Sequence, residues 1–447
     1  MTGTAGRAGA RAAVGAGTGW RPTAALARAL GTGAALLLAG VLLRRPDLVV
    51  VAAPLLIGPA LALARRPVSA PEVELSVPGG AVLEGDPMPV TVTVSAADQV
   101  DVAAVTLLLP AWLRTREGRD PPASAVLVAG GEQVEVPFAL RTLRWGRRTV
   151  GPATLRATAA YGLLRWPEEG TGTALTTTWP LGQGFAATDA VPRAEGLVGA
   201  HRSRRPGEGG DLAGVRPFVP GDRLRRVNWR VTARTGVTHV TSTYSDRDTE
   251  VLLCLDSRQD LGTPPDSCLD AGVRAAAAIA EHYLRAGDRV ALVDLGQRYR
   301  AVPARNGRGH LVRILDVLLD AKPRSAGGGR QSGGMLRPAE LTSLAAADAL
   351  VVLLSPLSGP ASLEAVVALS LAGRSVVAVD TLPPGARPAN PADFTDLAFR
   401  LWRLQREADL SRLGELGVPV VPWLGAGSLD QVLHDVRRAA RAPRVAR

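Results

Sequence analysis

"EVLLCLD", Glu250–Asp256, is apolar on both of its faces and ends on a carboxylate. A strand covered on one side alternates apolar and polar residues, whereas a strand covered on both sides reads as a continuous apolar run. Next comes "CLDAGVRAAAAIAEHYLRAG", Cys268–Gly287, Ala-rich and helical in pattern, with a glycine where the helix should stop. The alternation continues through "RVALVDL", "RYRAVPA", "HLVRILDVLLDA", "DALVVLLS", "SLEAVVALSLAG", "SVVAVD", "VPVVPW" and "SLDQVLHDVRRAARA". Buried strands separated by crossover helices predict a largely parallel sheet with helices on both faces, a doubly wound α/β domain over residues 249–442. Within it "SAGGGRQSGG", 325–334, lacks a Gly-Lys-Ser/Thr ending and follows no strand, so it reads as a surface loop and not as a phosphate cradle.

Upstream, residues 70–182 carry a different period. "VELSV", "PVTVTVS", "VAAVTLLLP" and "QVEVPFAL" alternate apolar and polar residues and are separated by turn signals such as "PGG" and "EGDP". Period-two patterning at this spacing predicts an antiparallel β-sandwich of immunoglobulin-like architecture. Further upstream the chain turns apolar. After a basic tail over 1–23, the region 24–66 contains the uncharged run Ala29–Leu43, the turn "RRPD" and the run Leu48–Ala64, which together read as a transmembrane helical hairpin. Trp20 is a candidate for the membrane interface, and Arg28 lies near enough to a helix end to snorkel. A cleaved signal peptide is the rival reading. It fits less well, because the first apolar run ends in Arg44 and Arg45 without small residues at a cleavage site, and a second run follows at once. Arg7, Arg11, Arg21 and Arg28 before the first run and Arg65 and Arg66 after the second outweigh Arg44 and Arg45 in the turn. Both ends are therefore expected on the cytoplasmic side of the plasma membrane.

The 447 residues allow two or three domains. A formal charge of +11 points by itself to nucleic acid or an anionic membrane surface. However, Lys322 is the only lysine, arginines are scattered over every segment, and no groove-reading motif gathers them, so no nucleic-acid partner is expected. Cys254 and Cys268 are too few for a disulfide framework or a thiolate metal site.

The region 200–248 joins the two patterns through "GVRPFVPGDRLRRVNWRVTAR", Gly214–Arg234. Asp222 follows a Pro-Gly turn where a helix N-cap is wanted, and Gly236 sits where that helix would end. Leu224, Val227 and Val231 fall on one helical face, and Arg225, Arg226, Arg230 and Arg234 on the rest. In a structural account Asp222 caps the helix and pairs with Arg216 or Arg225, while Trp229 wedges between domains. In a functional account the arginines grip an acidic protein surface or a phosphate, for which the planar guanidinium is suited.

The stretch Gly207–Arg234 resembles the signature of the bacterial domain of unknown function 58. It matches at Gly207, Glu208, Gly214, Val215, Arg216, Phe218, Pro220, Gly221, Asp222, Arg225, Asn228, Trp229, Ala233 and Arg234. The resemblance implies a membrane hairpin, a β-rich region, the signature, and then a von Willebrand factor A-like α/β domain. It also implies a membrane-anchored accessory protein working with a MoxR-type AAA+ ATPase and client proteins in assembly or maturation of other proteins or in envelope functions. Gly214, Arg216, Pro220, Gly221, Asp222, Arg225, Trp229, Ala233 and Arg234 would carry that contact.

A von Willebrand factor A-like domain can hold Mg²⁺ at the C-terminal edge of its sheet, through an Asp-x-Ser-x-Ser loop and distant ligands. Here "CLDSRQDLG" puts Asp256 in the first position but Arg258 and Asp260 in the two serine positions, and the fourth long strand run ends at Ser355. The loop is degenerate, so no cofactor is expected; were Mg²⁺ bound, Asp256 and Asp260 would be its ligands. The alternative function is then a metal-dependent hydrolase or transferase at this rim. His201, His239, His282, His310 and His434 form no His-Glu-x-x-His pattern, and there is no Gly-x-Ser-x-Gly elbow, so the adaptor is the expected class.

Overall fold

A computed structural model describes residues 8–11, 19–116, 122–128, 130–180, 203–219, 222, 224–245, 250–296, 299–323, 338–346, 349–387 and 395–425. The chain forms two compact units, Met1–Gly182 and Gln183–Arg447.

In the first unit the apolar runs form the helices Ala24–Leu42 and Pro46–Ala64, each long and apolar enough to cross a membrane. Thr23 caps the first helix by accepting the Leu26 N–H at 3.4 Å, and Pro46 opens the second, where its missing N–H leaves no gap in the helix ladder. Leu38, Val41, Leu42, Val50 and Ile57 are exposed, which separates these helices from the buried core helices of a soluble protein. Small residues let the helices approach: a Cβ added at Gly33 would lie 2.9 Å from Leu56, and one at Gly40 would lie 2.9 Å from Val49. Gly33→Leu is therefore expected to destabilise the hairpin by about 1–3 kcal/mol, the usual penalty of overpacking. Gly31→Leu, where nothing lies within 4 Å of an added Cβ, should be neutral. Thermal melts of the detergent-solubilised variants compare them, and equal losses would refute the packing assignment.

The β-rich part of this unit has two five-stranded antiparallel sheets and a small three-stranded one around a shared core. The alternation is visible in Pro87–Ser95, where Met88, Val90, Val92 and Val94 are fully buried and the residues between them face outward. One expectation is overturned here. The Trp20 ring is not exposed for lipid contact but is buried in the sandwich, edge-on to Trp166 with ring centroids 5.6 Å apart. Its Nε1 donates to Ser69 O at 3.1 Å, which satisfies the one polar atom of an otherwise apolar ring. The neighbouring strand Arg21–Pro22 pairs with Leu164–Gly170, so the chain enters the first helix directly from the sheet.

The second unit carries the six-stranded sheet expected from the apolar runs. In spatial order its strands are Arg300–Arg305, Arg289–Asp294, Glu250–Leu255, Leu350–Ser355, Ser375–Asp380 and Val420–Pro422. Numbered along the chain this is the order 3-2-1-4-5-6 of doubly wound sheets. All pairings are parallel except that of Arg300–Arg305, because the connection 295–299 is far too short for a crossover helix and permits only a hairpin. Leu252 and Cys254 pack on the face covered by Pro338–Leu344, Pro360–Leu371 and Thr395–Glu415. Val251, Leu253 and Leu255, of opposite parity, are equally buried on the face carrying Cys268–Arg285 and Arg308–Leu319. The loop 325–334, the predicted last helix with His434, and His201 lie outside the described residues.

Candidate functional site at the switch point and the arginine turn

Two places in the second unit gather the singled-out residues. The first is the turn after the strand Ser203–Pro217, which pairs with His239–Ser245 in a two-stranded ribbon. Arg216 reaches from that strand and donates Nη1 and Nη2 to the two oxygens of Asp222, at 2.8 and 2.7 Å. Asp222 also accepts the Val219 N–H at 2.9 Å. The hydrogen bonds from Arg216, then that from Val219, hold the Asp222 carboxyl below its ordinary range, and Asp222 in turn raises Arg216.

The pairing of Asp222 with Arg216 is as expected; its capping role is not. The segment is broken into a 3₁₀ turn, Leu224–Arg226, and a helix, Trp229–Thr235, whose cap is Asn228 accepting the Val231 N–H at 3.2 Å. Val227 between them forms a bridge with Val240 and is buried, which interrupts the single helix. Gly236 ends the helix at φ 72°, as its position predicted. Leu224, placed on the apolar helical face by the sequence, is 75% exposed, and Trp229 is 71% exposed. Arg225, Arg230, Ala233 and Arg234 are exposed as well. Gly214 lies opposite Ser242 in the ribbon; Pro220 and Gly221 lie outside the described residues.

The second place is the crevice where the strand order reverses, between the C-terminal ends of Glu250–Leu255 and Leu350–Ser355, where ligands bind in sheets of this kind. Asp256 is buried there and held by a bidentate fork from Arg258, with Nε to Oδ1 at 2.7 Å and Nη2 to Oδ2 at 2.9 Å. Ser355 and Ser362 each donate a hydroxyl to Asp256 Oδ2 at 2.7 Å, and Arg258 Nη2 also reaches Ser362 Oγ at 3.0 Å. Burial would raise the Asp256 carboxyl, but Arg258 and the two serines outweigh it and hold the group below its ordinary value. Asp260 lies on another set of contacts, accepting the Leu269 N–H at 3.3 Å at the start of the helix Cys268–Arg285. The structure thus engages Asp256 and Asp260 separately. At the next parallel strand Asp380 pairs with Arg406 at 2.5 Å, and Arg406 also donates to Pro356 O.

These residues do not fit Mg²⁺. A guanidinium occupies both Asp256 oxygens where hard oxygen ligands would converge on a cation, and among the described residues no group of three or more His, Cys, Asp or Glu could hold a metal. Ser362 and Arg406 escaped the sequence reading, and Ser355 was read only as a strand end; only the crossover of the chain brings them to Asp256 and Asp380.

Asp294, beside this crevice, behaves oppositely. Burial raises its carboxyl, and the hydrogen bonds from Ser257 Oγ and Gly296 N–H only partly offset that. A carboxyl whose folded value is raised contributes stability that is complete below the unfolded value of about 3.9 and is lost as pH rises through the folded value. Asp294→Asn keeps an acceptor for Ser257 and Gly296 without the buried charge. It is expected to melt at or above the wild-type temperature at neutral pH, with the gap closing toward acid. A melt depressed at neutral pH would show that the ionised carboxylate stabilises the fold.

The fold and site define a two-unit chain in which an apolar helical hairpin emerges from a β-sandwich and a doubly wound α/β unit follows an arginine-locked turn. Residues 214–385 match the family model described as "Protein of unknown function DUF58", from the end of the strand before the turn through the fifth sheet strand. The chain is similar to an uncharacterized protein of Mycobacterium bovis and to uncharacterized proteins of two Mycobacterium tuberculosis strains, each 37% identical over 134 residues. That alignment covers 29% of this chain, which spans about 42% of the length of the curated relatives it matches. A crystal structure of an aerotolerance-related membrane protein from Bacteroides fragilis, with multiple mutations to serines, matches at 14% identity and a TM-score of 0.28, covering 42% of this chain and 98% of that one.

Proposed function

We propose that this chain is a membrane-anchored adaptor whose arginine-rich turn and von Willebrand factor A-like α/β unit dock another protein, a MoxR-type AAA+ ATPase, during maturation of client or envelope proteins. The observation that carries the reading is Trp229, 71% exposed beside the exposed Arg225 and Arg230, at the start of the helix that follows the Arg216–Asp222 fork. Exposed tryptophan with arginine is the composition of interface hot spots, and a pre-shaped loop loses less entropy on binding. Two helices of membrane-crossing length support the anchor, and the arginine count at their ends supports a cytoplasmic setting for both soluble units at the plasma membrane. The strand order with its single antiparallel edge supports the A-like reading of the α/β unit. The rival reading, a metal-dependent hydrolase or transferase, draws no support from a rim whose carboxylates Asp256 and Asp380 are both paired with arginines.

The test is affinity capture of the tagged full-length protein from detergent-solubilised membranes, followed by mass spectrometry. Recovery of a MoxR-type ATPase is expected. Repeated capture without any such ATPase, from cells that express one, would overturn the partner assignment.

A further inference from the structure

The end of the sandwich from which the hairpin emerges carries features that partner docking does not use. Thr23, the cap of the helix Ala24–Leu42, donates its backbone N–H to Leu163 O at 2.9 Å and its hydroxyl to Gly162 O at 3.0 Å. Gly162 N–H in turn donates to Asp101 Oδ2 at 2.9 Å. On the return side Arg66 Nη2 donates to Trp20 O at 2.8 Å. The turn 160–163 is therefore fixed level with the first residue of the helix. A helix of 19 residues is about 28 Å long, close to the ~30 Å of a bilayer's hydrocarbon core, so a turn at its end lies among lipid headgroups.

Tyr161 is the tip of this turn, 91% exposed, and both it and Ala160 have left-handed backbones, φ 56° and 55°. Glycine or asparagine suits such a pair better, and a tyrosine held there in water would bury nothing. At a membrane interface its apolar ring and polar tip both find partners. Val68, just past the second helix, is 93% exposed with its N–H held by Asp98 at 2.8 Å. Arg21 and Arg165 stand directly opposite each other in the antiparallel pair, both exposed and without an ion-pair partner among the described residues. Like charges in that position repel unless an anion lies between them, and the guanidinium fork suits a phosphate.

We infer that Tyr161, Val68, Arg21 and Arg165 form a collar that docks the sandwich on anionic phospholipid, with the Tyr161 ring in the interfacial layer and the two arginines sharing a lipid phosphate. The inference rests on the hairpin spanning the membrane. It is tested on the full-length protein reconstituted in vesicles of phosphatidylcholine, with or without phosphatidylglycerol. Cys254 and Cys268 are buried, so an environment-sensitive fluorophore will label Tyr161→Cys selectively. The control is Leu108→Cys, an exposed position beside Leu107, which pairs with Ala153 at the opposite end of the same sheet. Nitroxide-headgroup lipid is expected to quench the label at 161 several-fold more than the label at 108. Phosphatidylglycerol is expected to raise the melting temperature of the wild type but not of Arg21→Gln/Arg165→Gln. Carbonate extraction separates the failures. A protein retained in the membrane with equal quenching at both positions, or with an undiminished phosphatidylglycerol effect in the double variant, overturns the collar alone. A protein released by carbonate overturns the anchor and the collar with it.

Discussion

Arg258→Ala is expected to lower the stability of the α/β unit by about 3–5 kcal/mol, the usual loss when one partner of a buried ion pair is removed. Asp256 would be left buried with two serine hydroxyls and no counter-charge. The pH dependence identifies the cause. In the wild type the folded Asp256 value is depressed, so its contribution is present above the unfolded value of about 3.9 and is lost as pH falls through the folded one. Without Arg258, burial pushes the carboxyl up, so the deficit should be greatest at neutral pH and shrink in acid. Asp256→Asn/Arg258→Met, which removes both charges at similar volume, should recover most of the loss. Mg²⁺ should leave the wild-type melt unchanged. Metal-dependent stabilisation of the wild type, abolished by Asp256→Ala, would instead show that Arg258 yields its place to a cation.

Much of this architecture is written in local pattern. Continuous apolar runs such as "VLLCL" specify strands buried on both faces, and the alternation in "PVTVTVS" specifies a half-buried one; both are periodic signals that need no knowledge of distant residues. Gly236 is legible as a helix end because the left-handed cap is a local demand. Where local options compete, pattern decides less. Asp222 had the composition of a cap, but the Val219 N–H and the Arg216 fork offered it closer partners, and Asn228 took the cap instead. Trp20 read as interfacial because it precedes an apolar helix, whereas its burial depends on Trp166. The crevice is the extreme case, since Ser355 and Ser362 reach Asp256 from 99 and 106 residues away. Only the degenerate loop, with Arg258 where a ligand hydroxyl would stand, announced that a guanidinium sits beside Asp256.

The second large effect concerns recognition. Trp229→Ala is expected to weaken binding of the proposed ATPase partner by ~30-fold or more, corresponding to the roughly 2 kcal/mol that marks a hot spot. Folding should be nearly untouched, because a ring that is 71% exposed contributes little packing and such surface changes stay within about 0.5 kcal/mol. Arg216→Ala differs in kind: it removes the fork that holds the turn, so the Trp229 surface persists but is less ordered, and the association step should suffer along with affinity. Charge reversal at Arg225 and Arg230 separates a third contribution, since exposed rim charges act mainly on the association rate and its salt dependence. Surface plasmon resonance on the purified pair resolves the three, with dissociation accelerated by Trp229→Ala and association slowed by Arg225→Glu/Arg230→Glu. An unchanged Kd for a folded Trp229→Ala would move the docking surface off this turn. The switch-point rim, where Arg258 and Arg406 already neutralise the carboxylates, would then be the surface left to test.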